Sequence, residues 1–136
     1  MKKIITAAAV FCFTFFYSQK NQNYLEIGYA SVCCGPPSEK PVIGYLKEFK
    51  KKNHIRSLEI LKHGGLGREG EFRLYIGTDY LTKNQKSRLI RGLMATVSNQ
   101  NNGRKQESNG TVNFDSANVV HQSDLINSKN LTIYKK

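Results

Sequence analysis

Residues 24–49 read YLEIGYASVCCGPPSEKPVIGYLKEF, and the hydrophobic period changes partway along them. Leu25, Ile27 and Tyr29 alternate with Glu26 and Gly28, the two-residue repeat of a half-buried strand that should end near Val32. Beyond the turn the repeat becomes helical. Val42, Ile43, Leu46 and Phe49 fall on one side, and Lys47, Glu48, Lys50 and Lys51 on the other. Ser38 can cap this helix, Pro41 is tolerated in its first turn, and the helix should end by Asn53.

Working outward, IRSLEIL (55–61) puts Leu58 and Ile60 on one strand face, and EFRLYIGT (71–78) returns with Phe72, Leu74 and Ile76 inward, so the two runs should form a hairpin. Thr82 and Gln85 have the spacing of a capping box. Leu89, Ile90, Leu93, Met94 and Val97 follow at helical intervals, interrupted by Gly92. SNQNNGRKQESNG (98–110) is polar throughout and reads as a mobile loop. TVNF (111–114) can add a short strand, and LTIYKK (131–136) can add an edge strand. The order strand, helix, strand, strand, helix, strand predicts an α+β fold of the ferredoxin-like split βαβ type, an antiparallel sheet with both helices on one face.

The first eighteen residues should not belong to that domain. Lys2 and Lys3 precede an apolar run at residues 4–17, the build of a secretory signal peptide cut after Ser18 and too short to span a bilayer. The remainder, 19–136, has the length of one domain. The whole chain carries a net charge of +11. Removing Lys2 and Lys3 leaves nineteen basic against ten acidic side chains, a charge of +9 on the exported form. Outside the cytoplasm such a protein is expected to meet anionic lipid head groups, anionic envelope polymers or stray nucleic acid, or a protein partner that the sequence does not specify.

The predicted helices carry Lys47, Lys50, Lys51, Lys83, Lys86, Arg88 and Arg91 on their solvent sides as candidate polyanion contacts, whereas alternation sends Glu26, Glu59, Glu71 and Arg73 to the open sheet face. RNA-recognition sheets need aromatic and positive side chains on the strands. Glutamates beside Tyr24 and Tyr75 therefore weigh against specific nucleic-acid binding.

No catalytic signature appears: there is no H-E-x-x-H, G-x-S-x-G or S-x-x-K. GLGREG (65–70) matches G-x-G-x-x-G, but a strand follows it where a dinucleotide site needs a helix N-terminus, so it reads as a hairpin loop. The remaining chemistry lies in Cys33 and Cys34, the only cysteines once Cys12 leaves with the signal. As a disulfide between neighbours they would shape a ligand-contacting loop or exchange with other thiols. Reduced, and with His63 as a third donor, they offer soft ligands to copper or zinc. The expected function is a non-enzymatic binding or interaction module, with the thiol site as the alternative.

Overall fold

The computed structural model describes residues 22–104 and 110–134. The expected signal peptide (1–18) and Lys105–Asn109 of the polar stretch lie outside the described residues. Among the described residues eight elements follow one another: β1 (Asn23–Ala30), α1 (Lys40–Lys52), β2 (Ile60–His63), β3 (Phe72–Gly77), α2 (Lys83–Asn102), β4 (Thr111–His121), α3 (Gln122–Leu125) and β5 (Leu131–Ile133). The fold is α+β. Its five strands make one antiparallel sheet in the order β4-β1-β3-β2-β5.

The alternation in β1 sets the register and the core. Leu25, Ile27 and Tyr29 pair with Ile76, Leu74 and Phe72 across β3, so six apolar side chains share one face. Tyr29 stacks on Phe72 with ring centroids 4.3 Å apart. Val42, Ile43, Leu46 and Phe49 of α1 and Leu89, Leu93 and Val97 of α2 cover that face and complete the core with Val112. At about 25 cal/mol per Å2 of apolar surface removed from water, this burial is the main force holding both helices on the sheet.

Local signals place the helix ends. The N-cap of α1 is Glu39 rather than Ser38 and makes no side-chain cap bond, although the Lys40 N–H donates to Ser38 Oγ at 3.2 Å. Pro41 lies in the first turn, and Lys50–Lys52 in the last turn face the negative end of the helix dipole. The capping box of α2 is complete: the Gln85 N–H donates to Thr82 Oγ1 and the Thr82 N–H to Gln85 Oε1. Gly92, which interrupts the helical pattern, gives room to a neighbour. A β-carbon there would overlap the ring of Tyr45 on α1, whose hydroxyl donates to the Arg88 carbonyl at 3.2 Å.

Three elements differ from the pattern in the sequence. First, α2 runs through Ser98–Asn102, so the polar stretch 98–110 begins as helix rather than loop. Polar side chains anchor it: Asn101 Nδ2 donates to the Val112 carbonyl at 2.8 Å, Asn101 Oδ1 accepts the Val112 N–H at 3.0 Å, and Gln100 Nε2 donates to the Ser38 carbonyl at 2.7 Å. Second, β4 extends well past TVNF. Its partner on β1 jumps from Phe114 opposite Ile27 to Val119 opposite Leu25, and the surplus residues bulge out, with Asp115 Oδ1 accepting the Ala117 N–H.

Third, the sheet face away from α1 and α2 is not fully open. Tyr24, Leu61 and Tyr75 form a second small core there with Leu125 of the one-turn α3. Tyr24 and Tyr75 are almost wholly buried, which removes them as surfaces for stacking bases. Burial first, then the Glu59 carboxylate that accepts the Tyr24 hydroxyl at 2.6 Å, push the Tyr24 hydroxyl pKa far up. β5 pairs with β2, adding the edge strand expected from LTIY. Among the described residues no helix is long and apolar enough to cross a membrane.

Candidate functional site

The turn after β1 brings the cysteines to the surface. β1 ends at Ala30, where Gly110 packs so closely that a β-carbon on it would overlap the Ala30 carbonyl. The chain then reverses through positive φ at Cys34 (71°) and Gly35 (102°), the second a conformation that glycine accepts at little cost. Ser31 Oγ accepts the Gly35 N–H at 3.2 Å and closes the turn, and Pro36 and Pro37 carry the chain to Ser38 without offering backbone donors. Cys33 and Cys34 are bonded to each other as a disulfide. Both are exposed, and Val32 beside them is 76% exposed, so the loop presents an apolar, covalently closed tip.

His63 is not grouped with them among the described residues. It ends β2 on the face of the second core, half-buried and tilted against Tyr75, and its Nδ1 is buried without a hydrogen-bond partner among the described residues. Among the described residues no three His, Cys, Asp or Glu side chains gather where one ion could be held. While the disulfide stands, neither sulfur is a thiolate ligand.

The GLGREG loop joins β2 to β3, with positive φ at Gly65 and Gly70 and a Leu66 N–H to Glu71 carbonyl bond of 3.2 Å across it. It is a strand-to-strand turn with no helix N-terminus to receive a phosphate.

The cations fall where helical spacing put them. Lys47, Lys50 and Lys51 on α1 and Lys83, Arg88 and Arg91 on α2 are exposed, and Lys86 is half-buried. None of the seven forms an ion pair among the described residues. The pairs present are Lys52–Glu48 at 3.7 Å, Lys62–Glu39 at 3.1 Å and Arg73–Glu26 at 3.5 Å. Glu48 is the one acidic residue in α1, and α2 has none. The opposite face of the sheet carries Glu26 paired to Arg73, and Glu59 bonded to Tyr24.

A depression of about 640 Å3 beside β1 and β4 is lined by Glu26, Arg73, Asn113, Asp115 and Asn118 and, from the core side, by Tyr29, Phe72, Val97 and Val112. Asp115 and Asn118 of the β4 bulge form part of its wall. Nothing in the local sequence signals it, because it depends on which residues of β4 lie opposite Glu26.

Together these features define a small α+β domain with a basic helical layer on one side and an exposed disulfide-closed loop at the end of its first strand. Comparison with protein-family models, curated proteins and solved structures finds no match to this chain.

Proposed function

We propose that the chain is an exported, non-enzymatic binding module on a ferredoxin-like split βαβ sandwich, whose basic helical layer meets anionic polymers of the cell envelope. The strand order supports the topology. β1 and β2 each run antiparallel to the β3 between them, hence parallel to one another, and α1 joins them; β3 and β4 flank β1 in the same way, joined by α2. Export is supported by the basic head and apolar run at residues 2–17, and by an exposed disulfide that suits an oxidising compartment.

The observation that carries the binding reading is the charge segregation. Lys47, Lys50, Lys51, Lys83, Lys86, Arg88 and Arg91, which form no ion pair among the described residues, stand on two adjacent helices that hold a single glutamate, itself paired to Lys52. Such a surface attracts a polyanion by replacing its counterions, and the attraction weakens with salt.

The test is retention on a sulfated-polysaccharide matrix. Replacing Lys47, Lys50 and Lys51 by glutamate should lower the eluting salt concentration while changing stability by less than about 0.5 kcal/mol per site, because all three side chains are exposed. Retention insensitive to salt, or to these replacements, would sink the reading.

The exposed Cys33–Cys34 bond supports a second reading, a thiol-exchange site. A thiolate of a partner dithiol attacks one sulfur and frees the other as a thiolate. The partner's second thiol then closes its own disulfide, which leaves both cysteines reduced and the partner oxidised by two electrons. The reduced pair offers the soft ligands that copper or zinc takes. Intact mass should rise by two hydrogens on mild reduction, and two alkyl groups should add only afterwards. Alkylation of the untreated native protein would rule out the disulfide.

A further inference from the structure

On the helix-covered side, α1 does not close fully against β2 and the chain beyond β5. A groove of about 380 Å3 remains, lined by Ile43, Leu46, Leu58, Ile60 and Tyr134 together with Lys47 and Lys50. Its volume lies within the range of small-molecule sites, about 300–1,000 Å3. The floor is apolar: Leu46 and Ile43 are buried in the main core, and Leu58, Ile60 and Tyr134 pack on its margin. The backbone holds Tyr134 in place, its N–H donating to the Ile60 carbonyl at 2.8 Å. The two lysines are exposed and form no ion pair among the described residues, and no carboxylate lines the groove. Three residues apart on α1, they are neighbours on the helix surface, so both ammonium groups can reach one anion at the mouth while their stems extend the apolar wall.

An apolar trough with two exposed cations at its mouth, neither in an ion pair among the described residues, matches one chemistry. We propose that this groove binds a free single-chain amphiphile with an anionic head group, its chain lying on Ile43, Leu46, Leu58 and Ile60 and its head between Lys47 and Lys50. A polymer needs only the outward charge of the helices, whereas this ligand also needs the apolar floor. The inference deepens the reading of the basic face by giving two of its cations a discrete ligand.

The test is titration of the full protein with monomeric decanoate, followed by calorimetry and by amide chemical shifts. Binding should saturate at one per chain, with the largest shifts at Ile43, Lys47, Lys50, Leu58, Ile60 and Tyr134. Shortening the chain to octanoate should weaken binding by about fourfold per methylene removed. Decanol, which lacks the charge, should bind at least tenfold more weakly, and so should decanoate to the Lys47→Gln/Lys50→Gln protein.

Leu58→Gln, or Tyr134→Ser where the first variant does not fold, should abolish decanoate binding yet keep retention on the polyanion matrix. That difference separates failure of the groove from failure of the basic-layer reading. Affinity independent of chain length, shifts centred on α2, no saturation below the concentration at which decanoate self-associates, or binding only to phosphatidylglycerol vesicles would each overturn the proposal.

Discussion

Gly92 sets two known magnitudes against each other. In the middle of an exposed helix, alanine in place of glycine stabilises by about 1 kcal/mol, because glycine loses more backbone freedom on folding. Here the new methyl group would overlap the Tyr45 ring, and the atoms it meets are the far end of that side chain, so the ring must swing away from α2. Its hydroxyl then loses the Arg88 carbonyl, a net effect of about 1 kcal/mol, and the half-buried ring gives up apolar contact worth roughly another 1 kcal/mol. Gly92→Ala should therefore destabilise by about 1 kcal/mol. In a Tyr45→Ala background there is nothing to displace, so the same change should stabilise by about 1 kcal/mol. Urea unfolding of the four proteins closes a double-mutant cycle with a coupling of about 2 kcal/mol. Equal effects of Gly92→Ala in the two backgrounds would show that Tyr45 does not occupy the space beside Gly92.

The Tyr29 hydroxyl is buried with no hydrogen-bond partner among the described residues, so Tyr29→Phe should be neutral or stabilise by about 1 kcal/mol in urea unfolding; a loss above about 1 kcal/mol would reveal a partner. Burial first, then Glu39 and Tyr134, raise the pKa of that hydroxyl, so above pH 10 the unfolded chain sheds a proton that the folded chain keeps. Wild-type stability should fall as pH rises from 10 toward the raised folded value, and the fall should be shallower in Tyr29→Phe; identical alkaline profiles would contradict this. Asn101→Ala leaves the Val112 N–H and carbonyl without their side-chain partner and should cost about 2–3 kcal/mol, with faster amide hydrogen exchange at Ser98–Asn102; unchanged exchange there would mean that Asn101 does not anchor the end of α2.

Neighbouring residues in the sequence carry much of the design. The alternation of Leu25, Ile27 and Tyr29, the helical spacing of Val42 to Phe49 and of Leu89 to Val97, and the Thr82–Gln85 box are short-range patterns, and each became the element it implies. The outward cations follow from the same periodicities, because placing the apolar side of a helix also places its polar side. The adjacency of Cys33 and Cys34 was plain from the sequence; that they are joined and exposed at a turn was decided by the fold around them.

What the tertiary structure decided are the features that depend on residues far apart in the chain. The polar end of α2 stays helical because Asn101 bonds the Val112 backbone and Gln100 bonds the Ser38 carbonyl, partners no window around residue 100 contains. β4 carries its bulge because of how it aligns against β1, and the second core exists because α3 drops Leu125 onto Tyr24 and Tyr75. His63 stands apart from the cysteines, and Lys47 and Lys50 flank an apolar groove, because of where β2 and Tyr134 lie beside α1. Hydrophobic periodicity specifies which side of an element turns inward; which partner meets that side is settled only when distant segments pack, and the grooves lie between such partners.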